Sequence, residues 1–137
     1  MPPDPILLTE TWNWLSKAKE DMDVAELLAA HSPPMISGAT FHVQQAAEKV
    51  MKAFLTWHDV PFQKNHDLGA LGLACTELDS SLGEASDKVA PLTPWAIWSR
   101  YPGNWNLPSQ SVLSEAMANV RQLFDQILSR LPQETRR

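Results

Sequence analysis

The sequence predicts an all-α fold, a four-to-five-helix up-and-down antiparallel bundle. Apolar residues recur every three or four positions through long segments, which gathers them on one face of a helix turning about 100 degrees per residue. Prolines and short polar runs separate those segments, and neither an alternating β-branched run nor an Asn-Gly hairpin signals a strand. Long helices joined by short loops pack most simply as an antiparallel bundle.

The first helix is expected to begin at a Thr9 or Thr11 cap and to turn Trp14 or Leu15, Ala18, Met22, Ala25 and Leu28 inward. HSPP ends it, because two successive prolines remove amide donors and block further helix over residues 31–34. The second helix, about residues 35–59, has the cleanest period. Ile36, Ala39, Val43, Ala46, Ala47, Val50, Phe54 and Trp57 fall within an arc about 80 degrees wide. A second arc of similar width, about 80 degrees, carries His42, Gln45, Lys49 and Lys52, a polar line open to solvent, a partner subunit or a ligand. A self-complementary pairing of second helices would bury Gln44 and Gln45 across a two-fold axis.

Pro61 breaks that pattern, and Asn65 or Asp67 caps a third helix through Leu68, Leu71, Ala74, Cys75 and Leu78. SSLGEASDK reads as a polar loop. VAPLTPWAIWS reads as a short helix from about Thr93 with proline in its first turn. The last helix, capped by Ser109 or Ser111, carries Val112 or Leu113, Ala116, Val120, Leu123 or Phe124, Ile127 and Leu131. Pro132 and ETRR then form a frayed tail. The chain thus reads as one domain over residues 1–137, with a core of about 9–131 and a tail of 132–137.

With 137 residues, 44% of them hydrophobic, the chain can bury one core. A net charge of -5 argues against coating nucleic acid by bulk electrostatics, which needs many cations to displace condensed counterions. Cys75 is alone, so neither an intramolecular disulfide nor a cysteine-rich zinc site is expected, as suits a reducing compartment. No apolar run approaches the roughly 20 residues needed to cross a bilayer, and the N-terminus lacks the pattern of a signal peptide. A cytoplasmic location without a membrane partner is the expectation. Metal and cofactor chemistry have no support. HExxH and Gly-x-Ser-x-Gly are missing, His58 and His66 have no third ligand near them, and Asp21 and Asp23 point to different faces of the first helix. GALGLA lies inside a helical pattern and is no P-loop.

Three motifs carry a resemblance: FHVQQAAEKVMKAFL at residues 41–55, KNHDL at 64–68 and SRYPG at 99–103. Together with Trp14 and Ala18 on the first helix, they resemble the HEPN domain, the family named for higher eukaryotes and prokaryotes nucleotide-binding. The similarity spans roughly residues 9–131. It implies a four-to-five-helix bundle, usually a homodimer, often encoded beside a minimal nucleotidyltransferase in toxin-antitoxin or other defence modules. One branch comprises metal-independent ribonucleases that use an arginine followed, after four to six residues, by a histidine. Other branches lack the pair and act as nucleotide binders or non-catalytic partners.

Counting from Arg100, that histidine would stand at positions 105 to 107, which hold Trp105, Asn106 and Leu107. Without an imidazole there, the loop lacks the side chain best suited to proton transfer near neutral pH, and cleavage of the family type is not expected. His42 or His66 can approach Arg100 only through the fold, or across a dimer. Their plainer readings are a satisfied surface or interface histidine and a locally paired one. Nucleotide binding asks for less. Arg100 offers a forked donor for phosphate, Tyr101 or Trp105 a stacking surface, Asn104 an amide, and Lys49 and Lys52 more positive charge. The plainer alternative pairs Arg100 with a carboxylate at the bundle end, while Trp95, Trp98 and Trp105 close the core or a dimer seam.

The expected function is therefore a nucleotide-binding or accessory dimer working with a nucleotidyltransferase, with ATP, GTP or RNA as the ligand class. The candidate residues are Arg100, Tyr101, Asn104, Trp105, His42, Gln45, Lys49, Lys52 and His66. The alternatives are a ribonuclease toxin with a departed Arg/His motif and a purely structural interaction module.

Overall fold

The structure, a computed structural model, describes residues 2–103 and 106–136. In chain order it runs α1 Pro5–Ala30, α2 Ile36–Trp57, α3 Leu68–Leu78, α4 Gly83–Val89, α5 Trp95–Trp98 and α6 Gln110–Ser129. Short 3-10 turns occupy Ser80–Leu82, Ala90–Leu92 and Gln133–Thr135. No strand occurs among the described residues, and the all-α bundle expected from the periodicity is what the chain builds.

The central helix is α2, which packs against α1, α3, α5 and α6. Its alanines at 39, 46, 47 and 53 are fully buried and let neighbouring backbones come close, while Val43, Val50, Met51, Phe54 and Leu55 fill the space between them. Phe54 is the largest fully buried side chain, and truncating such a residue to alanine typically costs about 3–5 kcal/mol. From α6, Leu113, Ala116, Met117, Val120, Leu123 and Ile127 complete the core at the expected spacing.

The termini of the helices are set by short polar side chains. Asp67 Oδ1 accepts from the Ala70 amide at 3.1 Å at the start of α3, and Ser109 Oγ accepts from the Val112 amide at 3.2 Å at the start of α6. At the end of α2, the Val60 amide donates to the Leu55 carbonyl at 2.9 Å and the Asp59 amide to Thr56 at 3.0 Å. Asp59 takes φ 56°, the left-handed geometry that closes such a cap.

Three expectations are corrected. The first helix starts earlier than Thr9 or Thr11. Asp4 caps it, accepting from the Ile6 amide at 2.9 Å, and Pro5 occupies the first turn, where no amide is needed; Thr11 is buried inside the helix. SSLGEASDK is a 3-10 turn followed by α4, not a loop. Its buried stripe, Leu82, Ala85, Ser86 and Val89, has helical spacing but is built mostly from small residues, and Asp79 Oδ1 nucleates it by accepting from the Ser81 amide at 3.0 Å. Gly72 lets α3 lie against it, since a Cβ there would stand 3.0 Å from the Ser86 Cβ. Finally, the segment after Pro132 is not frayed. Thr135 is fully buried, the turn packs on α1, and Arg136 donates to the Leu128 and Leu131 carbonyls around the end of α6.

Candidate functional site

The polar line of α2 does not lie open. Gln44 and Glu48 are 0% and 3% exposed, Gln45 and Lys52 8% and 7%, and only His42 and Lys49 reach partway to solvent. Burial of that much polarity demands partners, and the chain supplies them. On one side Asp21 of α1 accepts from His42 Nδ1 at 2.7 Å through Oδ1 and from Lys49 Nζ at 2.6 Å through Oδ2. On the other, Glu48 accepts from His66 Nδ1 at 2.6 Å through Oε1 and from Lys52 Nζ at 3.1 Å through Oε2. Each buried carboxylate thus holds one imidazole and one ammonium, one on each oxygen. The Lys52 ammonium also stands 5.3 Å from the Trp14 ring and 5.5 Å from the Phe62 ring, so its charge meets two aromatic faces instead of water.

The amides are used up in the same network. Gln45 Nε2 donates to Gln44 Oε1 at 2.7 Å, and Gln44 Nε2 donates to the His66 carbonyl at 3.3 Å. Both glutamines are buried within one chain, so they are not the surface across which second helices would meet. Among the nominated residues, Gln45 and Lys52 are structural fixtures here, and His66 keeps an exposed ring tethered to Glu48.

The open part of the candidate site is the Arg100 segment. Its loop leaves α5 and lies on the first turns of α2, where Ser37 Oγ donates to the Ser99 carbonyl at 2.8 Å. Arg100 is exposed, with its guanidinium carbon 5.2 Å from the Phe41 ring centroid. Among the described residues it has no ion pair, so the plainer pairing with a carboxylate is not what the fold provides. The Phe41 and His42 rings meet edge to face at 5.2 Å, which keeps guanidinium and imidazole within about 10 Å of each other. Gly103, at φ 91°, turns the chain after Pro102 in a conformation that a side chain would strain.

Tyr101 lines a groove of about 390 Å³ together with Ile97, Trp98, Pro102 and Leu107. Tyr101 and Trp98 are 66% and 37% exposed. Trp95, by contrast, is buried in the core, so of these two it is Trp95 that closes the core. Asn104 and Trp105 lie outside the described residues.

Sequence reasoning brought forward His42, Lys49 and Arg100 but missed Asp21 and Glu48, the carboxylates that organise them. Asp21 sits one helical turn from Ala18 and Ala25 on the buried face of α1, and a charge in that register was the signal for it. His58 belongs to neither cluster. It packs on Phe54 at 4.6 Å, and burial lowers its pKa against the opposing pull of Asp79.

A family model described as the HEPN domain matches residues 11–131. Comparison with the curated proteins and with the solved structures finds no match. The matched span runs from the buried Thr11 of α1 to the buried Leu131 beyond α6, and so takes in most of the packed bundle, both carboxylate networks and the Arg100 loop. The chain belongs to the HEPN domain family.

Proposed function

We propose that this HEPN protein is a nucleotide-binding accessory module, non-catalytic by the family's motif, that works as a homodimer beside a minimal nucleotidyltransferase in a toxin-antitoxin or defence-type system. The observation that carries the reading is Arg100: an exposed guanidinium, propped on Phe41, with no carboxylate to neutralise it among the described residues. A free forked donor of this kind suits phosphate, and the adjoining groove, with Trp98 and Tyr101 on its wall, suits a flat base. The buried parts of the polar line support the same division of labour, because Gln45 and Lys52 are buried in the folded chain and out of a ligand's reach. Partners of the bundle are left other exposed apolar residues, among them Leu27, Met35, Leu73 and Val112.

Calorimetric titration with ATP and GTP tests the ligand. The wild type is expected to bind, and Arg100→Ala to bind at least about ten-fold more weakly at unchanged melting temperature, the worth of a hydrogen bond to a charged group. No binding by the wild type at millimolar nucleotide removes the reading. Sedimentation of the protein alone, then with a nucleotidyltransferase encoded beside it, tests the assembly.

A second reading, a ribonuclease with a relocated histidine, is favoured by one observation: His42 stands near Arg100 with its ring held by Asp21. Incubation with total tRNA separates the two. Cleavage by the wild type that Arg100→Ala and His42→Ala both lose would favour the enzyme, and equal background cleavage by all three would reject it.

A further inference from the structure

The hydrogen-bonding state of His42 follows from its partner. Asp21 uses one carboxylate oxygen for Lys49 and the other for His42 Nδ1, at 2.6 and 2.7 Å. An ionised carboxylate only accepts, so Nδ1 must carry the hydrogen. In the neutral ring that leaves Nε2 as a bare acceptor. Nε2 has no partner among the described residues, and the His42 side chain is 30% exposed, so this acceptor faces an approach from outside. The ring cannot easily flip to exchange the two nitrogens, because the buried carboxylate would then lose its donor while still held by Lys49.

An acceptor recognises a donor, and phosphate has none when ionised. Within about 10 Å of the His42 ring lies the one exposed cation of the loop that does suit phosphate, Arg100, packed on the same Phe41 ring. A single nucleoside phosphate spans that separation, and the donors it offers beyond its phosphate are the ribose hydroxyls and the base amino groups. The groove walled by Trp98 and Tyr101 offers the base its stacking surface, which leaves the ribose hydroxyls as the donors for His42.

We infer that His42, fixed by Asp21 as an Nε2 acceptor, reads the ribose 2'-hydroxyl of a nucleotide whose phosphate is held by Arg100, and so selects ribonucleotides over 2'-deoxyribonucleotides. The inference rests on the nucleotide-binding reading above and adds to it a sugar specificity and a residue responsible for it. Asp21 is here a positioning residue, acting on the ligand only through His42.

The test is a titration of the intact protein with ATP and with 2'-deoxy-ATP. The expected result is about five-fold tighter binding of ATP, the worth of one neutral hydrogen bond, with the ratio falling to about one in His42→Leu while 2'-deoxy-ATP affinity is unchanged. Equal affinities in the wild type overturn the inference and leave nucleotide binding standing. So does a His42→Leu variant that weakens both ligands alike, since His42 would then be gripping phosphate. Binding of neither nucleotide overturns this inference and the reading beneath it together. Nitrogen NMR of the histidines in the ligand-free wild type gives a measurement that needs no variant. The neutral His42 ring should show its proton on Nδ1, and a proton on Nε2 overturns the proposal.

Discussion

Asp21 of α1 holds His42 of α2 at 2.7 Å while its other oxygen holds Lys49 at 2.6 Å, so a single buried carboxylate clamps two points about two turns apart on the central helix. The clamp ties packing to recognition. It fastens α1 to α2, and it sets the outward nitrogen of His42 beside the Arg100 loop. Removing the carboxylate leaves two partly buried donors uncompensated. Asp21→Ala is expected to cost about 3 kcal/mol in urea unfolding, within the range for breaking a buried pair and well above the roughly 0–1 kcal/mol of a surface pair. A loss under 1 kcal/mol would mean that solvent screens the site.

Lys52 presents the same logic with a different remedy. Lys52 is 7% exposed, and its ammonium is paired with Glu48 and flanked by Trp14 and Phe62. Lys52→Met keeps the stem but strips Glu48 of a partner, and about 2–3 kcal/mol of stability should go with it. In Lys52→Met with Glu48→Gln the loss should be smaller than the two single losses added, a coupling readable from a double-mutant cycle. Strict additivity would show that the two groups do not interact.

Acid should loosen the other end of the bundle. Asp79 accepts from Ser81 Oγ and from Arg130 Nε, the latter at 2.6 Å, and these bonds, together with the Ser81 amide and the Arg130 charge, hold its carboxyl below the usual carboxylate range. A depressed folded pKa stabilises fully above the unfolded value, about 3.9, and that stability is lost as pH falls through the folded one. Melting curves of the wild type and Asp79→Asn should therefore differ at neutral pH and converge as the pH drops below about 4. A gap that stays constant into strong acid contradicts the assignment.

Cys75 should be inert until the chain opens. It is fully buried between α3 and α2, with its thiol directed at the Met51 carbonyl, and desolvation pushes its pKa up to about 12. Labelling by a disulfide reagent at pH 8 is expected to follow the global unfolding rate. Fast labelling of the native protein would show local opening of α3.

Asp59 occupies a left-handed position at φ 56°, where glycine carries no penalty. Asp59→Gly should raise the stability by up to about 1 kcal/mol, seen as a higher melting temperature. A fall would mean that the Asp59 side chain contributes a contact of its own.

How far the sequence discloses this architecture varies from helix to helix. The core face of α2 was legible from Ile36 to Trp57 because its apolar residues, alanines included, keep strict spacing over a long run anchored by Ile36, Val43, Val50, Phe54 and Trp57, and α6 likewise. Helix α4 was hidden because its buried stripe relies on Ala85 and Ser86, whose small side chains do not register as a hydrophobic period. In α2 the polar arc was correctly located but wrongly assigned to an open surface, since burial of Glu48 and Lys52 is decided by Trp14, Phe62 and His66 from distant parts of the chain. Arg100 and His42 could be nominated by type and motif. The register of Asp21 marks a charge on the buried face of α1, but its partnership with His42 is tertiary, and no local pattern names the partner.

The central claim is that ligand meets the protein at the Arg100 loop and the outer edge of α2, not along the whole polar line. Backbone NMR during titration with ATP tests it most directly. Shifts should concentrate at Ser99 to Gly103 and at Phe41 and His42, and stay within error at Gln45 and Lys52. Shifts centred on Gln45 and Lys52, or no shifts at millimolar ATP, would contradict the account.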